Sequence, residues 1–465
     1  MQPRRPRENG EQHCVPAIGM LASCALAFCL ALAGLGCVKD PQRPELHPGF
    51  SHSPEQGTDS TYYTFEAVNV GADTPGSVSE VRWDWHNDGT WDTSFTTDKH
   101  ATHRFLRAGM WPVRMQARIL GDITGEGTRD VVVLPYGWGE LPGTGVDDEI
   151  HAMIEFKGSL IVGGWFSAPA EHIASFDGTT WTGMGGGLNL FVNALLIHDG
   201  DLIVGGSFTT AGGSPANRIA RWNGASWDSL GHGLDGEVSA LCTYNGNLYA
   251  AGNFHHSGPD SVVGIARWNG ASWEDVGFTE AGVKTMIEFD HKLVVGGDFS
   301  TIGAVPAASI ASWDGERWTA LGSGIDGWVQ ALAVYQDALV VGGWFTDPAA
   351  NIAVWRGSTW TPLGDGITPD ENTADSGVMC LAAFHGDLIV GGGILMAGET
   401  PAANVARWSA STQKWSALGH GLTYPDELDS DDVYALAVHQ DMLIAGGYFT
   451  KAGDTNVPYV ARWIE

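Results

Sequence analysis

Acidic side chains are the groups in this sequence best placed to do chemistry, and they gather in three stretches. The first is Asp147-Asp148-Glu149, the second runs from Asp365 to Asp375 and includes Asp370, Glu371 and Asp375, and the third holds Asp426, Glu427, Asp429, Asp431 and Asp432. Carboxylates grouped in this way attract a cation or a basic partner, and calcium is the ion they would suit. Catalysis asks for more: paired carboxylates, a histidine cluster, or a nucleophile beside its base at one place. The adjacent pair His255-His256 has no matching Cys or His cluster, so no catalytic residue is nominated. Cys242 and Cys380 sit inside the apolar runs Ala240-Leu241-Cys242 and Met379-Cys380-Leu381 and read as buried thiols. Asp84, Asp88 and Asp92, with Gly89, are spaced somewhat like a calcium loop. His86 stands where an oxygen ligand is expected and the closing Glu is absent, so a structural turn is the expectation there.

The composition narrows the partners. The formal net charge is -30, which excludes nucleic acid as a partner. Charged residues make up only 17%, while Gly 64 and Trp 20 are both high, as suits many short strands joined by tight turns. An all-β chain follows.

The amino-terminal end reads as an address. Arg4, Arg5 and Arg7 precede an uncharged apolar run from Ile18 to Gly36, which ends in Leu32-Ala33-Gly34-Leu35-Gly36-Cys37. That order of a positive region, an apolar region and small residues is a signal peptide's. It resembles a bacterial lipoprotein signal, with Gly34 where the family usually has Leu. The resemblance implies acylation at Cys37 and an extracytoplasmic, membrane-anchored protein at the outer membrane or cell surface. Residues 1–36 are then the signal and 37–54 a Pro-rich linker.

Residues 55–135 carry strand-like runs, among them Tyr62–Val68, Val81–Trp85 and Pro112–Arg118. The run Trp83-Asp84-Trp85-His86-Asn87-Asp88-Gly89, followed by His103-Arg104-Phe105 and Gly109-Met110-Trp111-Pro112-Val113, resembles the polycystic-kidney-disease type of Ig-like domain. The resemblance implies a small β-sandwich serving as a spacer or adhesion module.

Internal repeats organise residues 136–465. An apolar-Gly-Gly element recurs at Gly163-Gly164, Gly205-Gly206, Ala251-Gly252, Gly296-Gly297, Gly342-Gly343, Gly391-Gly392 and Gly446-Gly447, which makes seven copies. In the clearest copy, Val192–Ile197, Leu202–Phe208, Ile219–Trp222 and Trp227–Gly231 read as four short antiparallel strands, one blade of a β-propeller. The last copy ends at Ala461-Arg462-Trp463-Ile464-Glu465 without a fourth strand, and Trp138–Gly145 matches that missing strand. The expectation is a seven-bladed β-propeller closed by an amino-terminal strand. Paired tryptophans such as Trp222 with Trp227 and Trp408 with Trp415 resemble the kelch repeat. With segments like Phe208-Thr209-Thr210-Ala211-Gly212, the closer likeness is to bacterial and fungal propellers akin to cortical polarity-marker ectodomains. The tryptophan rows are expected to pack blade on blade.

Tracing the strands assigns loops to two faces. The one-to-two and three-to-four turns are short and share a face expected to be flat and structural. The two-to-three loops and the crossovers share the other, where the acidic stretches fall in consecutive junctions and where binding is expected. At the axial mouth, the second residue of strand one is His151, Asn193, Ser239, Lys284, Gln330, Met379 and Tyr434, a position at which the repeats do not agree. The functional expectation is a non-catalytic extracytoplasmic binding or surface-assembly protein, monomeric and without a resident cofactor, taking an unknown protein or glycan. A propeller hydrolase, lyase or oxidase using the same face is the alternative.

Overall fold

The computed structural model describes residues 48–53, 56–58, 62–70, 79–105, 109–119, 122–134, 137–277, 282–370, 377–424, 432–453 and 455–464. Cys37 and the signal-like run lie outside them. Every regular element among the described residues is a β-strand.

The chain divides into two compact units. The smaller draws on His52 and the residues before it, Phe65–Ala101 and Pro112–Asp130, while the larger holds Ser53–Thr64, Thr102–Trp111 and everything from Val131 onward. The amino-terminal strands form a three-stranded sheet (Gly49–Ser53, Tyr63–Val68, His100–His103) and a four-stranded one (Gln56–Thr58, Ser79–Asp84, Gly109–Ile119, Asp122–Leu134). Strict alternation of buried and exposed residues along Tyr63–Val68 aims one face inward. Phe50 and Phe65 of one sheet meet Trp83 of the other with ring centroids 5.2 and 5.7 Å apart, and Trp83 stacks on Trp85 at 5.3 Å. Aromatic burial of this kind is the main stabilising term for so small a core.

The larger unit is a β-propeller. Among the described residues, seven four-stranded antiparallel sets of strands recur in chain order, and the first strand of each touches the first strand of the next all the way round, from Ile150–Phe156 through Asp432–His439 and back again. Apolar clusters lie between consecutive sheets, one at each of the seven junctions. The second blade shows the pattern, with strands Val192–His198, Asp201–Gly206, Ile219–Trp222 and Trp227–Ser229 in that order across the sheet. The seventh takes its fourth strand from Gly137–Glu140, which pairs with Val460–Ile464 in the register Trp138 to Trp463 and Gly139 to Arg462. The borrowed strand fills the slot left at the end of the chain, so neither edge of the ring is left open.

Two side-chain devices set the blades against each other. The first residue of the Gly-Gly pair is where the next blade drives in a fully buried Val or Ile. A Cβ on Gly205 would lie 2.5 Å from Cγ1 of Val238, and one on Gly446 would lie 2.7 Å from Cγ2 of Ile150, the equivalent contact across the closure. Glycine permits this approach because it has no Cβ to displace. The second device is the fourth-strand tryptophan, whose indole N–H donates to a backbone carbonyl of the preceding blade. Trp227 reaches the Met184 carbonyl at 3.1 Å, Trp273 that of Leu230 at 3.2 Å and Trp318 that of Val276 at 3.0 Å. Trp138, on the borrowed strand, makes the same bond to the Leu418 carbonyl at 3.0 Å. Trp415 is the exception, since its buried Nε1 has no hydrogen-bond partner.

The close approach at Gly205 predicts that Gly205→Ala costs about 1–3 kcal/mol through overpacking against Val238. Thermal unfolding of the substituted chain checks it; an unchanged midpoint would show that the junction yields without cost.

Candidate functional site

The seven residues at which the repeats disagree share a structural origin. In every blade the pairing of strand one with strand two slips by one residue just after the buried Val or Ile. The residue left over is His151, Asn193, Ser239, Lys284, Gln330, Met379 or Tyr434. Each is therefore the extra residue of a β-bulge, which leaves the ladder and re-aims its side chain. Freed from pairing, the position can vary while its neighbours repeat. Adjacent blades bring some of these residues together: the rings of His151 and Tyr434 stand edge to face at 5.2 Å, and Asn193 Nδ2 donates to Glu237 Oε1 at 2.6 Å. His151 Nε2 also sits 2.9 Å from Glu149 Oε2.

Around the bulges runs a second set of positions, one residue before the buried Val or Ile and one after the Gly-Gly pair. These carry Glu149, Glu237 and Asp298 together with aromatic rings. Trp165, Trp328 and Trp344 are 55%, 41% and 51% exposed, unlike the blade-packing tryptophans. Trp165 stacks on Phe191 of the next blade at 5.4 Å, and Trp328 meets Trp344 at 5.8 Å. Sequence reasoning missed them by assigning tryptophan to packing. The signal was present in Gly163-Gly164-Trp165-Phe166 and Gly342-Gly343-Trp344-Phe345, where the clearest repeat has Gly205-Gly206-Ser207-Phe208.

The acidic stretches fare unevenly. The Asp147 carboxylate is engaged: Oδ1 accepts from the Ser167 and Ala168 backbone N–H groups at 2.7 and 2.9 Å, and Oδ2 accepts from Ser167 Oγ at 2.7 Å. Asn189, Asp235 and Asp326 hold the same clamp on their own two-to-three loops, 20 and 21 residues on. Burial works to raise the Asp147 carboxyl, but the hydrogen bonds from Ala168 and Ser167 outweigh it and hold it below the usual range. Asp148 and Glu149 are half-buried, and Asp148 Oδ1 accepts from the Glu149 backbone N–H at 3.0 Å. Tyr459 of the seventh blade is pushed up by burial and then by the charge of Asp148, with Tyr424, Asp147 and Glu149 adding to it. Asp370 is half-buried, whereas Asp432 opens a first strand and is fully buried, not on a solvated loop. Glu371, Asp375, Asp426, Glu427, Asp429 and Asp431 lie outside the described residues.

The remaining candidates are structural. Asp84 is fully buried and accepts from the backbone N–H groups of His86, Asp88 and Gly89, while Asp92 Oδ2 accepts from Trp85 N at 2.7 Å and Asp88 Oδ1 from Thr90 N at 2.8 Å. Those carboxylates close a turn. His256 Nδ1 lies 3.0 Å from Asp235 Oδ2, so the histidine pair belongs to a loop clamp. Burial pushes the Cys242 thiol up to about 12 and raises that of Cys380, making both poor nucleophiles. Among the described residues no group of three or more His, Cys, Asp or Glu is placed to hold a metal ion.

Comparison with known proteins adds a short family match. Residues 198–224 match a family described as a domain of unknown function (DUF5122) beta-propeller. No curated protein matches the sequence. Among solved structures, the chain is similar to an extracellular domain assigned to a hybrid two component system of Bacteroides thetaiotaomicron, with 10% identity over 70% of this chain and 39% of that one, at a TM-score of 0.45. It thus spans about two fifths of that protein's length. It is also similar to an auxiliary nutrient binding protein of Bacteroides ovatus, with 11% identity over 91% of this chain and 98% of the other, at a TM-score of 0.39.

Asp148 yields a pH prediction. Burial and then, against the Glu149 N–H, the charges of Glu149 and Asp147 raise its carboxyl above the ordinary value. A raised folded value favours folding below the unfolded value, near ~3.9, and that advantage is lost as pH rises through the folded value. Asp148→Asn is therefore expected to raise the melting temperature at pH 7 and to leave it unchanged near pH 3. A lower melting temperature at pH 7 would contradict this.

Proposed function

We propose that the protein is an exported, non-catalytic binding protein that holds a protein or glycan partner at the axial mouth of its propeller. One observation carries the reading: Trp165, Trp328 and Trp344 are exposed, next to the bulge positions, while the other described tryptophans are buried or half-buried. A large exposed aromatic beside Glu149, whose carbonyl accepts from the Trp165 backbone N–H at 2.9 Å, offers flat apolar surface next to hydrogen-bond acceptors, the mixture found at binding centres. The reading includes seven blades of kelch-like character, a PKD-type Ig-like spacer and a lipid on Cys37, supported by the repeats, the Trp83–Gly89 run and the Arg4–Cys37 segment.

Arrays of bacterial surface glycans and proteins, probed with the whole chain, test the mouth. Bound partners are expected to be lost on Trp165→Ala with Trp344→Ala, while stability stays within about 0.5 kcal/mol because the side chains are exposed. A partner bound equally well by the doubly substituted chain would overturn the reading. Lipid attachment is checked separately: Cys37→Ser is expected to release the protein from the membrane fraction, and retention there would refute acylation at that residue.

A further inference from the structure

The face of short turns is not flat between the second and third blades. A cavity of about 370 Å³ opens there, bounded by the hairpin turns of both blades. The same groove between the fifth and sixth blades encloses only about 20 Å³.

Tyr335, Val354 and Trp408 line the small groove in the places that His198, Arg221 and Trp268 take in the large one. The Tyr335 ring fills its groove and its hydroxyl donates to the Gly386 carbonyl at 3.0 Å. Tyr244 does the same between the third and fourth blades, donating to the His291 carbonyl at 3.2 Å. Other junctions are covered from the first hairpin turn: Lys157 Nζ donates to the Asn223 carbonyl at 2.9 Å, and Gln440 lies over Gly178. At the second junction His198 is shorter than tyrosine and turns to Thr243 Oγ1 at 2.9 Å, while Asp199 projects into solvent. Gly246, the counterpart of Gly386, is left lining an open space.

The opened groove also carries polar groups where the small one has apolar residues. Arg221 replaces Val354 and Asp201 replaces Ala338, with Arg221 Nε 3.7 Å from Asp201 and Nη2 3.2 Å from Asp228. Asn247 uses its Nδ2 on the Asn245 carbonyl and keeps Oδ1 as an acceptor. Below this rim lie the buried aliphatics Ile203, Leu230 and Leu248 and the indole of Trp268. Two carboxylates, those of Asp201 and Asp228, hold the one guanidinium, and the exposed Asp199 beside His198 adds a further negative charge at the rim, which disfavours an anionic ligand. Donors and acceptors at the rim over an apolar floor suit a neutral ring that has hydroxyls on its edge and C–H groups on its face. The volume falls in the range of small-molecule sites.

We infer that the groove between the second and third blades is a binding site for a single neutral saccharide residue, separate from the axial mouth. Its test uses the whole chain with the methyl glycosides of glucose, galactose, mannose and N-acetylglucosamine, read by saturation-transfer NMR. At least one is expected to receive saturation, and its affinity is expected to fall by about tenfold or more in His198→Tyr, which copies Tyr335, and in Arg221→Val, which copies Val354. Trp165→Ala is expected to leave it unchanged, so failure here is distinguishable from failure at the mouth. Saturation of none of the glycosides would overturn the inference. So would retained binding in a folded His198→Tyr chain or, should that chain not fold, in Arg221→Val.

Discussion

The whole propeller depends on how closely one blade can approach the next. A buried Val or Ile at the start of each first strand needs a place in the neighbouring sheet, and a glycine without a Cβ supplies it in every blade but the third, which has Ala251. Because the contact repeats around a ring, the last blade must offer Gly446 to Ile150 of the first. This is a constraint on the two ends of the unit at once. The strand Gly137–Glu140 meets it by completing the seventh sheet, and the Trp138 indole then makes the bond that other fourth-strand tryptophans make.

The same geometry decides where the repeats are free to differ. Packing dictates the buried aliphatic and the glycine, and the bulge that follows them releases one residue per blade from the ladder. Variation therefore collects at the bulges without weakening the sheets. On the opposite face, the slot at the end of strand one plays a comparable part: Tyr244 and Tyr335 close their grooves and His198 leaves its own open, whereas His439 at the same place is fully buried beside Glu155. Each surface feature is thus set at a position that the repeats do not hold to one residue type.

How much of this was legible depended on whether a residue's role followed the repeat. The blade strands, the borrowed strand and the packing tryptophans could be read because the same types recur at matched positions. Asp147 resisted, since an acidic run looks the same whether its carboxylate faces solvent or clamps Ser167 and Ala168; only the recurrence of Asn189, Asp235 and Asp326 at that position reveals the clamp. Trp165 and Trp344 were hidden by abundance, as most tryptophans in the chain pack between blades. The open groove was invisible because the difference between His198 and Tyr335 acquires meaning only when both are placed against the next blade's turn. The buried thiols and the Asp84 turn needed no such comparison.

The most direct test is hydrogen exchange of the intact protein, followed by mass spectrometry on peptides covering 137–141 and 460–464. If the ring is sealed as described, the Gly137–Glu140 amides that bond to Val460–Ile464 should be protected to the same degree as those of the central strand Met442–Tyr448. Rapid exchange at 137–141 alongside protected 442–448 would mean that the chain's last sheet has only three strands, and would contradict the account at its root.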